Sequence, residues 1–310
     1  RLGYVLGQDA YGSQTAVSFK NTTIPIPDLA VGRLVETAGQ ATAVLDAYLG
    51  TPNGVTPLTT ASLVTGYDFL EDAALAVRAE LEAGMGQPAD TLIADRSLAP
   101  EDPAAWTADD LRAQLLAARY DIAFLAGHFS ASGALAADYT TRLTASELVA
   151  APVNLQNAII FSAGCHSGYN VVDADGVPLV TEDPDWAQAF ASKGALLIGG
   201  TGYQYGDTDF LEYSERLYLE FSRALRTGSG PVSVGQAMVM AKQQYLSGTA
   251  EMRGIHEKVL LQSAIFGLPQ LRVNMPGARL APPAGTSVVE GVTAVSGGPG
   301  SVLGLATADI

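Results

Sequence analysis

The chain has 310 residues, 48% of them hydrophobic, with 17 Lys and Arg against 32 Asp and Glu and a formal charge of −15 at pH 7. That length and apolar content support one large α/β domain with an appendage and exclude a disordered chain. The acidity excludes nucleic acid and anionic membrane as partners, because both would be repelled, and no apolar run reaches the roughly 20 residues of a membrane-spanning helix.

Short β-rich runs alternate with segments of helical period. The runs at residues 3–7, 29–32, 62–66, 122–127, 158–163, 195–199 and 270–273 read as strands buried on both faces. Between them, residues 37–49, 72–83, 107–117, 185–192, 209–225, 232–245 and 257–266 carry apolar residues at helical spacing and read as covering helices. The alternation predicts a doubly wound, mainly parallel sheet flanked by helices, with functional groups in the loops beyond the carboxyl ends of the strands. The first run has no lead-in, so Arg1 reads as a processing boundary with the amino-terminal part incomplete. After Met275 the composition turns to Pro, Gly and short Val-rich runs. We therefore expect a core domain over 1–275, and a linker and the start of a β-rich segment over 276–310.

Two strands end in reactive groups: Asp121-Ile-Ala-Phe-Leu-Ala-Gly-His128, and Ala158-Ile-Ile-Phe-Ser-Ala-Gly-Cys165-His-Ser-Gly168. Neighbouring parallel strands would bring both groups to one rim, where a thiol and an imidazole make a nucleophile and its proton-transfer partner. Cys165 is the only cysteine, so it has no internal disulfide partner. A lone cysteine after a strand is often a small hydrophobe. Here it is flanked by Gly164, His166, Ser167 and Gly168, which take the chain out of the core and let a carbonyl approach backbone N–H groups. His166 ranks behind His128 as the base because adjacent side chains diverge. His256, at the start of a helix, reads as a partly exposed structural residue, and no zinc-ligand spacing is present.

These two blocks resemble caspase-like cysteine peptidases, most closely the gingipains. The resemblance also includes Asp28-Leu-Ala-Val-Gly-Arg33, Gly194-Ala-Leu-Leu-Ile-Gly199 and Phe266-Gly-Leu-Pro269. It implies a cysteine endopeptidase acting on protein or peptide substrates, at an extracellular or cell-surface location, with oligomeric state left open. Cys165 would be the nucleophile, His128 its partner and Asp68 the acid that orients the histidine. Gly127, Phe129 and Cys165 would supply oxyanion donors. Phe129 is a departure, since the family has glycine there, and it supports an alternative reading as a catalytically inactive surface or binding module.

Asp72 matches the gingipain acid that recognises a basic residue before the scissile bond, which implies cleavage after Arg or Lys. Asp207 and Asp209 are rival acids for that pocket, and Tyr203 and Tyr205 its candidate walls. No cofactor is required for the chemistry. Structural calcium is implied by the resemblance, with Asp173 and Asp175 in an acidic loop as candidate ligands, although the full calcium-loop pattern is absent and a solvated acidic loop is the blander reading.

Overall fold

In a computed structural model, residues 5–20, 22–99, 101–171 and 184–282 are described. The elements run in chain order. A hairpin of β1 (Thr15–Phe19) and β2 (Thr22–Ile26) precedes α1 (Ala38–Leu49), then β3 (Val55–Leu58), β4 (Ser62–Gly66), α2 (Glu71–Met85), β5 (Asp90–Ile93) and α3 (Ala108–Leu111). The middle of the chain holds β6 (Ile122–Leu125), β7 (Gly133–Leu135), β8 (Arg142–Thr144), α4 (Ala145–Ala150), β9 (Ile159–Ser162), α5 (Trp186–Ser192) and β10 (Leu196–Gly200). It closes with α6 (Tyr213–Leu225), β11 (Val232–Ser233), α7 (Val234–Ser247), α8 (Gly254–Gln262), β12 (Ser263–Phe266) and β13 (Arg272–Asn274).

Local chemistry sets several helix starts. Thr37 and Gln40 form a reciprocal capping box at α1, as Asp185 and Gln188 do at α5, so orphan amide donors of the first turn are satisfied by side chains. Helix α2 ends at Gly86, whose φ of 68° favours glycine.

The main sheet has six strands in the order β12-β10-β9-β6-β4-β5; all neighbours are parallel except the antiparallel edge strand β12. The expected doubly wound, mainly parallel sheet is therefore present. Chain order reverses between β4 and β6, and sheets of this kind bind ligands beyond the carboxyl ends of the strands at such a switch point. The central strands are buried along their whole length and sort by alternation into two cores. Val64, Ile122, Phe124, Ile159, Phe161 and Ile198 face one side; Leu63, Ala123, Leu125, Ile160 and Leu197 face the other.

Several expectations need correction. Residues 257–266 are not one helix: α8 stops at Gln262, and Ser263–Phe266 pairs with β10, Ser263 opposite Gly200 and Phe266 opposite Leu197. A short apolar run fits both periods, and sheet pairing decides it. Residues 29–32 form no strand; next to them, Arg33 makes an isolated bridge to Phe266. Residues 5–7 are irregular, and 3–4 lie outside the described residues. The run at 270–273 contributes β13, which belongs to a separate three-stranded sheet, β11-β13-β3.

Residues 276–282 strap onto the domain. Leu280 N–H donates to Arg226 O, Gly228 N–H to Leu280 O, and the Arg279 guanidinium to Gly228 O and Thr227 O. The β-rich segment expected beyond them, at 283–310, lies outside the described residues.

Candidate active site

Register places the chemistry. Thr65 of β4 is paired with Leu125 of β6, and Leu125 with Ser162 of β9. Asp68, His128 and Cys165 each stand three residues beyond that row, in the loops past the ends of neighbouring strands that run about 4.8 Å apart. Cross-ties hold the strand ends together: Ala126 N–H donates to Thr65 Oγ1 at 3.0 Å and Ala163 N–H to Leu125 O at 3.0 Å.

His128 Nε2 lies 3.0 Å from Asp68 Oδ2. The ionised carboxylate is an acceptor only, so this contact assigns the proton to Nε2 and leaves Nδ1 as the free nitrogen of the neutral ring. The ring sits in an aromatic nest of Tyr67, Phe69 and Tyr139, with centroids 5.5, 6.0 and 5.8 Å away. The Tyr67 hydroxyl accepts the His128 backbone N–H at 2.7 Å and donates to Leu135 O at 2.9 Å, which fixes the backbone as well. Partial burial pushes the Asp68 carboxyl up, but hydrogen bonds from Tyr139 and His128 outweigh this and hold it below the usual carboxylate range.

Cys165 is half-buried, and its thiol donates to Gln204 O at 3.7 Å. Burial pushes the thiol above its ordinary value, with backbone hydrogen bonds at Gln204 and at its own residue opposing the shift. The loop carrying Cys165 abuts the loop carrying His128 through Phe129. A Cβ placed on Gly164 would lie 2.3 Å from the Phe129 ring, so only glycine fits beneath that ring, which also packs 5.9 Å from Trp186.

Of the expected oxyanion donors, Phe129 is bridged to Ala134 while the flanking bonds run from Ser130 N–H to Gly133 O and from Leu135 N–H to His128 O. In that pattern the bridged residue turns its own N–H away from the partner strand. Gly127 has φ 155°, and a Cβ there would meet the Tyr67 ring at 2.4 Å.

His166 occupies a different nest, 4.6 Å from Tyr203 and 5.8 Å from Tyr169, and shares no ring partner with His128. Burial holds its imidazole below the ordinary value. His256 is buried, contrary to expectation, with Nδ1 2.8 Å from the Tyr245 hydroxyl; the helix turns it into the core rather than to solvent.

The candidate pocket acids separate. Asp72 stands in the first turn of α2, with Oδ1 accepting the Ala73 N–H at 2.8 Å, and Asp207 accepts the Asp209 N–H at 2.9 Å, while Asp209 itself is exposed. Asp72 and Asp207 are brought into range of a carboxyl that sequence reasoning missed, Glu215 of α6. It is fully buried, its Oε2 accepts the Asp207 N–H at 3.1 Å and the Glu212 N–H at 3.3 Å, and its Oε1 has no hydrogen-bond partner among the described residues. Burial, with repulsion from Asp72 and Asp207, pushes Glu215 up to about 8. Tyr203 is 62% exposed and packs on His166, whereas Tyr205 receives a hydrogen bond from Lys258 at 3.5 Å.

No group of three metal-ligating side chains occurs among the described residues. Asp173 and Asp175 lie outside them. No described helix is long and apolar enough to cross a membrane. A cavity of about 270 Å³, lined in part by Asp46, Thr56, Arg119, Asp121 and Asn157, opens at the opposite end of the sheet, beside the amino ends of β4 and β6.

The mainly parallel six-stranded sheet flanked by helices is a caspase-like α/β fold. Among solved structures the chain is similar to the Arg-specific cysteine proteinase gingipain R, with a TM-score of 0.60 at 13% identity, covering 87% of this chain and 60% of that one. It is similar also to the complex of RgpB pro- and mature domains from Porphyromonas gingivalis, with a TM-score of 0.56 at 14% identity, covering 81% of this chain and 58% of that one. The chain thus carries a gingipain-like fold and spans about 60% of the length of these structures. Neither protein-family models nor curated proteins match it.

Proposed function

We propose that this chain is a cysteine endopeptidase in which Cys165 is the nucleophile and His128 the proton-transfer group. The observation that carries the reading is the row of Asp68, His128 and Cys165, each three residues past one matched register across β4, β6 and β9.

Cys165 begins as a neutral thiol. It gives its proton to His128 Nδ1 as the sulfur attacks the substrate carbonyl, and the resulting imidazolium is stabilised by Asp68. The tetrahedral oxyanion is held by backbone N–H groups at Phe129 and Cys165 beside Gly127. His128 then protonates the departing amine as the C–N bond breaks. Water, deprotonated by the same imidazole, hydrolyses the thioester and regenerates the thiol.

A substrate Arg or Lys before the scissile bond would meet Asp72 and Asp207, whose negative field supports selection of a cation. Protein or peptide substrates and an extracellular or cell-surface location follow from the resemblance. Calcium at Asp173 and Asp175 would be structural and takes no part in the bond-making steps.

The raised Cys165 thiol and the Phe129 ring over Gly164 favour a second reading, a catalytically inactive binding module. Fluorogenic peptides ending in Arg, Lys, Asp or Leu, assayed with and without calcium, separate the two. Cleavage after Arg or Lys that disappears in Cys165→Ala is expected; Asp or Leu preference would discard Asp72 but keep Cys165. No cleavage of any peptide, together with a Cys165 thiol that resists a thiol-directed electrophile at mildly acidic pH, would favour the binding module.

A further inference from the structure

Two non-glycine residues beside His128, Asp68 and Tyr139, share an unusual backbone, each with φ 57°. A left-handed conformation is strained for a bulky residue such as tyrosine, so the surroundings must enforce it. They do so through Asp138, which is 8% exposed. Its carboxylate accepts the Thr140 N–H and hydroxyl at 3.1 and 2.9 Å and the Thr141 N–H and hydroxyl at 2.9 and 2.8 Å. Tyr139 N–H donates to Ala136 O and Ala136 N–H to Thr141 O, closing the turn between β7 and β8. The clamp delivers the Tyr139 ring to 5.8 Å from His128 and 5.7 Å from Tyr67, which brings its hydroxyl within electrostatic range of the Asp68 carboxylate.

We propose that Tyr139 is a positioning residue, whose hydroxyl donates to Asp68, turns Oδ2 of that carboxylate toward His128 Nε2 and draws off part of its charge. The inference rests on the reading in which Asp68 and His128 serve Cys165. A carboxylate has about four lone-pair sites, so Tyr139 and His128 bind it together without displacement. Each donor on Asp68 weakens its pull on the imidazolium. Removing the hydroxyl therefore strengthens the Asp68–His128 pairing electrostatically while loosening its geometry.

The test uses the full chain and the imidazole proton resonances of its three histidines. In Tyr139→Phe, which keeps the ring and its packing, the His128 titration midpoint should rise by roughly 0.3–1 pH unit. Turnover of the preferred peptide should fall about 3–10-fold with KM changed less than twofold, and the acid limb of the pH profile should move with the His128 midpoint. Tyr139→Leu, which also removes the ring contact, serves as the packing control. The control for the underlying reading is Asp68→Asn, which should lower the His128 midpoint. A shift in Asp68→Asn with none in Tyr139→Phe overturns the role of Tyr139 alone. No shift in either removes the Asp68 pairing and the inference with it.

Discussion

Glu215 shows how far one side chain's environment can depart from what its type implies. In a helix it reads as part of a solvated face, yet it is fully buried and titrates at about 8 against an ordinary 4.5. The folded chain holds this proton where the unfolded chain has released it. Its contribution is therefore fully present below pH 4.5, declines as pH rises toward 8 and is flat above. We expect Glu215→Gln to match the parent in urea unfolding at pH 5 and to exceed it by about 1–2 kcal/mol at pH 9. The raised Cys165 thiol predicts a second pH dependence: alkylation by iodoacetamide should be slow at neutral pH and accelerate only above the range of an ordinary thiol. The strand-end placement of Cys165 and His128 was legible in the sequence because each follows an apolar run and leaves it through a Gly. Asp68 was legible for the same reason, as the first acid past its strand. Tyr139 and Glu215 were not, since one depends on a left-handed turn and the other on burial, and neither has a periodic signal.

At the level of elements, the parallel strands were readable wherever both faces are buried, because a continuous apolar run bounded by turn residues has few other uses. The hairpin of β1 and β2 was missed: β1 is exposed at four of its five positions and shows no apolar face. The edge strand β5 was missed for a like reason, being exposed or half-buried throughout. The contact between the β6 and β9 loops makes a clean prediction. Gly164→Ala drives a methyl into the Phe129 ring and should cost about 1–3 kcal/mol in thermal or urea unfolding. In a Phe129→Ala background the same substitution should cost much less, a coupling that a double-mutant cycle measures directly.

Over the whole molecule, the segment around Asp9 is tied to helix α7 by a buried ion pair. Lys242 Nζ reaches Asp9 Oδ1 at 2.8 Å and Oδ2 at 2.6 Å, and it also donates at 2.8 Å to the carbonyl of Ser263, the first residue of β12. Lys242→Ala leaves a buried acid without its partner, and we expect a loss of about 3–5 kcal/mol in urea unfolding; Asp9→Leu with Lys242→Met should recover most of it. The net charge of −15 predicts that cationic peptides associate faster at low ionic strength, visible as a salt-dependent kcat/KM. The alternation of the sheet reaches further than stability. In β6, Phe124 stacks on Phe161 at 4.8 Å in one core while Ala123 occupies the other. A slip of β6 by one residue would thrust phenylalanine into the space of alanine and carry His128 out of line with Asp68 and Cys165. A chain with Asp68, His128 and Cys165 misaligned is thus also a chain with its core misfilled, so ordinary quality control against unstable folds would remove such chains without ever sensing what the row does.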